Sequence, residues 1–323
     1  MLAGVALAVM AQAAYGADPD WLPNPLPRPL TELTIGFSNL GTGVNAYSAT
    51  YTEAFNAYAA ELGIKTIVLD SQADPAKQSA QIQTLVSQKP DVLIVWPVNA
   101  KAVVPALKQA SEAGIPVVVT NSAADPSGDA YVTTFTGPND YTQAEMAAKA
   151  MAEALGGKGN IVELNGMPGY SAGEQRLQAF KDVLANYPDI KVLDSQPANW
   201  SQEKGQSLME NYVTRFGNDI QGVLSASGDM GLGALTAVKA AVSEGRLEKA
   251  PIFSDPTMTG GVYDAIKAGE YYSSVLQSPQ IDARTALKAA VQIAEGMSLP
   301  SSVFMETPAI TKDNVDTVDR PTF

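Results

Sequence analysis

The sequence predicts an α/β protein made of two doubly wound parallel-sheet lobes, and three observations predict it. Short apolar runs alternate with longer amphipathic segments from Leu33 onward. The pentapeptide Val68-Leu69-Asp70-Ser71-Gln72 returns 124 residues later as Val192-Leu193-Asp194-Ser195-Gln196. A chain of 323 residues with 46% hydrophobic content is more than one compact domain usually needs and enough for two lobes of ordinary size.

Residues 1–17, MLAGVALAVMAQAAYGA, form an uncharged apolar run too short to span a bilayer and ending in small residues. This predicts a signal-peptide core, cleaved after Gly16, and a periplasmic protein of a Gram-negative cell. The usual positive n-region is missing, so the true start is expected upstream. With no Cys after the run there is no lipoprotein anchor site. A buried N-terminal helix is the rival reading, and the Pro-rich stretch that follows argues against it. That stretch, residues 18–32, carries Pro at nearly alternate positions and reads as an extended leader.

The strands expected from apolar runs are Leu33–Phe37, Lys65–Leu69, Val92–Trp96, Pro116–Val119, Asn160–Leu164, Ile190–Leu193, Gly222–Ala226, Pro251–Ser254 and Tyr272–Leu276. Helices are expected over Ala46–Leu62, Pro75–Ser87, Ala100–Ala113, Tyr141–Leu155, Ser201–Phe216 and Asp229–Glu244. Each copy of the repeated pentapeptide closes a strand and leads into a helix and then another apolar strand, which is the order two similar lobes would share. Ligands on open α/β sheets bind outside the carboxyl ends of the strands, so two such lobes face to face enclose a cleft.

Composition narrows the chemistry. Lys and Arg number 21 against 34 Asp and Glu, a formal charge of −13 that repels polyphosphates, so no nucleic-acid partner is expected. The chain has no Cys and no His, which removes thiolate nucleophiles, imidazole bases and most transition-metal sites. No cofactor or metal is expected. Polar and aromatic residues fall just after the predicted strands: Asn45, Tyr47, Trp96, Asn121, Arg176, Trp200, Ser227, Asp229, Asp255 and Gln277. Such a mixture suits a sugar, whose hydroxyls pair with amides and carboxylates while its C–H face packs on a ring.

Four segments carry a resemblance: VLDSQADPAK (68–77), VELNGMPGYSAGEQR ending at Arg176, LDSQPANW ending at Trp200, and GDMGLGAL (228–235). At these positions the chain resembles the type I periplasmic sugar-binding proteins of ABC importers, the ribose-binding kind, from about Leu33 to Pro300. The resemblance implies that Asn45 contacts ligand and that Tyr47 is the first of two sandwiching aromatics, with Ser48 in the place of the second. It implies that Arg176 grips the ligand, Trp200 walls it, Asp255 binds a hydroxyl, and Gln277 supplies an amide near the hinge. It further implies three crossovers near Gly137, Gln277 and Thr307. The lobes would then be 33–137 plus 278–307, and 138–277 plus 308–323.

The chain also departs from that pattern. The family's Asp-Arg pair after the fourth strand reads Asn121-Ser122, an Asn before the acidic motif residue reads Ser227, and a strand end that often carries Asn reads Trp96. A differently shaped pocket is expected, with pentose, hexose or linear polyol left open.

Each residue has a plainer reading. Trp96 can be core, Trp200 a hydrophobic staple ahead of Ser201, Asp229 a helix cap, Asp255 a turn residue before Pro256, and Arg176 a solvated charge. Gly156-Gly157-Lys158-Gly159 lacks P-loop spacing and reads as a helix end and turn, and Gly41-Thr42-Gly43 lacks the third glycine of a dinucleotide loop.

The expected function is therefore capture of a monosaccharide or polyol by hinge closure, as a monomer that hands it to an ABC permease in the inner membrane, with no catalysis. A non-sugar polar solute is the first alternative. A sugar-responsive repressor would need a DNA-binding helix-turn-helix where the apolar leader stands. A carbohydrate-active enzyme would need a carboxylate pair drawn from Glu163, Glu174, Asp229 and Asp255.

Overall fold

The computed structural model describes residues 21–23 and 25–323. The expected signal peptide lies outside them, as do residues 18–20 and Asn24 of the Pro-rich leader.

The first unit runs β1 (Thr34–Asn39), α1 (Ala46–Glu61), β2 (Lys65–Asp70), α2 (Pro75–Ser87), β3 (Val92–Val95), α3 (Val104–Glu112), β4 (Val117–Thr120) and β5 (Thr134–Gly137). The second runs α4 (Asp140–Ala154), β6 (Lys158–Asn165), α5 (Ser171–Leu184), β7 (Asp189–Pro197), α6 (Gln202–Phe216), β8 (Gly222–Ser225), α7 (Gly228–Ser243), β9 (Ile252–Ser254), α8 (Gly260–Ala268) and β10 (Ser273–Val275). The chain then returns to the first sheet through α9 (Pro279–Ala294) and β11 (Ser302–Phe304), and ends its regular structure in the second sheet with β12 (Ala309–Thr311).

Two six-stranded sheets result, in the orders β11-β5-β4-β3-β1-β2 and β12-β10-β9-β8-β6-β7. Every pairing is parallel except β10 with β12. The central strands β3, β4 and β8 are buried at every residue, as a parallel strand covered on both faces must be. In each lobe the first strand lies between the second and third, which places a topological switch point between β1 and β3 and another between β6 and β8. The repeated pentapeptide ends β2 in one lobe and falls in β7 in the other, both edge strands beside the first strand of their sheet.

Local chemistry explains most boundaries. Asn45 caps α1 in a capping box with Ser48, Asp74 caps α2 ahead of Pro75, Asn139 caps α4, and Ser201, Ser227 and Ser278 cap α6, α7 and α9. β1 runs on past Phe37 through the buried polar residues Ser38 and Asn39, and the Asn39 side-chain NH2 donates to Thr52 Oγ1 at 2.8 Å. α3 starts at Val104 instead of Ala100, since Asn99 first turns the chain by accepting from the amides of Lys101 and Ala102. β5, β11 and β12 are three or four residues long, too short for a period to register, and α8 opens on two glycines that hide its start.

Candidate functional site

The two switch points face each other across a small cavity of about 60 Å³, and nine of the ten residues expected at the site line it: Asn45, Tyr47, Trp96, Asn121, Arg176, Trp200, Ser227, Asp229 and Gln277. The exception is Asp255. Fully buried at the end of β9, it turns its Oδ1 back to accept from the Thr257 amide (2.8 Å) and Ser274 Oγ (2.7 Å). This is the turn geometry that an Asp two residues ahead of an amide favours, and it leaves Oδ2 buried without a hydrogen-bond partner among the described residues.

The first lobe supplies the ring of Tyr47, whose hydroxyl donates to Asp282 Oδ2 (2.8 Å) and accepts from Gln277 Nε2 (2.9 Å). Asn121 donates to the same carboxylate oxygen at 2.7 Å. Trp96 is 2% exposed and packs against Tyr51 and, edge-on, Tyr47, so it is at once core and wall. Ser48 does not stand in the cavity: its hydroxyl accepts from the Asn45 amide and its own amide donates to the Asn45 side chain.

In the second lobe, Arg176 is buried and held by several partners. Its Nε and Nη2 donate to Asp140 Oδ1 (3.0 and 2.7 Å), Nη1 donates to the Ala226 carbonyl (2.8 Å), and Nη2 also reaches Gln277 Oε1 (3.2 Å). Its guanidinium lies 5.8 Å from the Trp200 ring centre. Burial raises the Asp140 pKa even against the opposing pull of Arg176. Trp200 precedes the Ser201 cap, and its ring fills the space before Gly166, where a Cβ would lie 2.2 Å from it. Ser227 is the cap of α7; Asp229, in the first turn, has no side-chain partner and is raised to about 6 by burial.

Strain concentrates here. Asn121 (φ 61°), Asn199 (φ 54°) and Trp200 (φ 63°) adopt the left-handed region that disfavours residues with a Cβ. Gly137 (φ 138°) passes so close to Asn121 that a Cβ would come within 3.0 Å of its backbone.

The sequence reading missed Tyr170, Thr257, Thr259 and Phe323, which also line the cavity. Tyr170 accepts from Trp96 Nε1 at 2.6 Å and donates to Asn121 Oδ1 at 3.3 Å, and its ring meets Trp200 edge-on. With the Ala100 amide donating to the Gly169 carbonyl (3.1 Å), these contacts tie the lobes together across the cleft. Tyr170 lay within one of the quoted motifs, five residues past the end of β6, and its position there was the available signal.

Among the described residues no cluster of three or more metal-binding side chains occurs, and no helix is long and apolar enough to cross a membrane.

Comparison with known proteins agrees with this architecture. The xylitol-binding protein of Mycolicibacterium smegmatis is 34% identical over 267 residues, 82% of this chain and 73% of that protein. The ribose import binding protein of Haemophilus influenzae is 30% identical over 268 residues, 83% and 88% of the two chains. Among solved structures, a galactofuranose binding protein superposes with a TM-score of 0.81 at 25% identity, covering 88% of this chain and 96% of the other. A solute binding protein of Bacillus halodurans with bound myo-inositol gives 0.77 at 25% identity, covering 88% and 96%. Residues 35–298 match the periplasmic binding protein domain, and the chain belongs to that family, in its type I sugar-binding branch.

Proposed function

We propose that this protein is the substrate-binding component of an ABC importer and takes a monosaccharide or polyol into the cleft between its lobes. One observation carries the reading: the facing switch points bring aromatic rings and hydrogen-bonding side chains onto one cavity. Uncharged hydroxyls suit those groups. An anionic ligand does not, because the guanidinium on the wall, Arg176, already has its counter-ion in Asp140.

Relatives named for xylitol, ribose and D-apiose, and solved structures with bound glycerol and myo-inositol, support a polyhydroxylated ligand. The lobes would hinge where the chain passes between sheets: after β5, between β10 and α9, and between β11 and β12. The protein would work as a periplasmic monomer, closing on its solute and presenting the closed surface to a permease. No reaction is proposed. Of Glu163, Glu174, Asp229 and Asp255, Asp229 alone lines the cavity, so these four supply no carboxylate pair to flank a bond.

A thermal-shift panel of xylitol, D-ribose, D-apiose, L-arabinose and myo-inositol tests this, since a ligand that binds only the folded state raises the melting temperature. A concentration-dependent rise with at least one member is expected. No rise with any, and a rise with a non-sugar polar solute, would replace the sugar reading.

A further inference from the structure

The chain from Asp319 to Phe323 runs back to the mouth of the cleft. Arg320 grips Asp264 on α8 with two nitrogens, Nη2 to Oδ2 at 2.7 Å and Nε to Oδ1 at 2.9 Å. Pro321 is buried, and its carbonyl sits 2.5 Å from where a Cβ on Gly260 would be, so glycine at the first position of α8 is what lets the segment lie down. The Gly260 amide donates to the Phe323 carbonyl at 2.8 Å. These contacts hold the segment on the second lobe. Toward the first lobe, Gln280 on α9 reaches Thr322 at 3.5 Å, and the Phe323 ring meets Tyr47 edge-on, with centroids 5.6 Å apart and planes at 89°. The same ring lines the cavity.

We infer that residues 320–323 form a strap that carries Phe323 into the cleft as an aromatic wall for the ligand, complete only when the lobes are closed. The inference rests on the proposed function and names a contact that function does not require. Its geometry has a kinetic consequence. Phe323 is fixed to one lobe and Tyr47 belongs to the other, so opening the hinge parts the two rings, and the apolar contact they share resists release more than it aids entry.

The test is calorimetry and stopped-flow fluorescence on full-length wild type, Phe323→Ala, Phe323→Tyr and Gly260→Ala, with xylitol, D-ribose, L-arabinose and myo-inositol as probes. Phe323→Ala is expected to weaken the best-bound probe by about tenfold or more, chiefly through faster dissociation. Phe323→Tyr keeps the ring and stays within about threefold of wild type. Gly260→Ala displaces the strap without removing a cavity side chain and weakens binding in the same direction. Ligand-free melting temperatures of the two Phe323 variants, matching wild type, show that the fold is intact. If wild type binds a probe and Phe323→Ala holds it within twofold at an unchanged dissociation rate, the inference is overturned while the proposed function stands. If wild type binds none of these probes and does not bind D-apiose either, the proposed function falls and takes the inference with it.

Discussion

Trp96 Nε1 donates to the hydroxyl of Tyr170 at 2.6 Å, joining the end of β3 in the first lobe to the start of α5 in the second. Trp96 is almost wholly buried, so its N–H has no water to turn to when that oxygen is removed. An unpaired buried donor costs about 1–3 kcal/mol. Tyr170→Phe should therefore destabilise the closed form and weaken sugar or polyol binding by about tenfold. The ligand-free melting temperature should change little, because the open form leaves both groups to water. Titration calorimetry checks this, and unchanged affinity would mean that the bond is not part of closure.

Arg176 and Asp140 form a buried pair, with side chains 6% and 2% exposed. Removing one partner of such a pair leaves the other charged and dry, at a cost of about 3–5 kcal/mol. Arg176→Met is expected to lower the urea midpoint of the ligand-free protein, and Arg176→Met with Asp140→Asn to recover part of it. A single variant as stable as wild type would place Arg176 in a role toward ligand alone.

Asp229 lines the cavity with its carboxyl raised by burial to about 6. A ligand hydroxyl that donates to it needs the carboxylate, so affinity should rise between pH 5 and pH 7.5, with its midpoint near 6. Asp229→Asn should flatten that profile. The same pH dependence in the variant would remove Asp229 from ligand contact.

Burial also raises Asp255 and Asp282 to about 7. A carboxyl with a folded pKa above its unfolded value binds more protons when folded, so its contribution is full below about pH 4 and is lost as pH rises through about 7. Asp70 and Asp194 are shifted down by hydrogen bonds from neighbouring amides, and they act in the opposite sense only below about pH 4. The ligand-free protein should thus be more stable to urea at pH 5 than at pH 7.5. The difference amounts to up to about 2.5 kcal/mol per raised group. Asp282→Asn, which keeps the size of the side chain, should shrink it. A midpoint that climbs from pH 5 to pH 7.5 would contradict the burial argument.

Trp200 rests on two glycines, and a Cβ at Gly166 would overlap its ring. Trp200→Ala is expected to abolish the ligand-induced thermal shift, and Gly166→Ala to reduce it by pushing the ring into the cavity. Asp255→Asn should leave a measurable shift, since that carboxyl faces Thr257 and Ser274. Loss of binding in Asp255→Asn with retention in Trp200→Ala would reverse these assignments.

Much of this architecture was legible before any coordinates. Runs such as Val92–Val95 and Val117–Thr120 announce buried parallel strands, and Ser201 announces a helix start, because these signals act between residues a few positions apart. Ligand sites on open sheets sit at strand ends, and strand ends together with the family resemblance pointed to nine residues that line the cavity. Strand ends also named Asp255, which does not line the cavity: position along a strand does not say which way a carboxylate oxygen turns.

The sequence by itself determined the alternation of strands and helices, the two-lobed plan and most of the residues at the cleft. Tertiary structure alone decided how those residues are used. The Trp96–Tyr170 bond, the sharing of Asp282 between Tyr47 and Asn121, and the arrival of Phe323 beside Tyr47 each join positions far apart in the chain. No periodicity or local motif records such contacts. They exist because two sheets bring their switch points face to face, and a segment following the last strand is drawn into the gap between them.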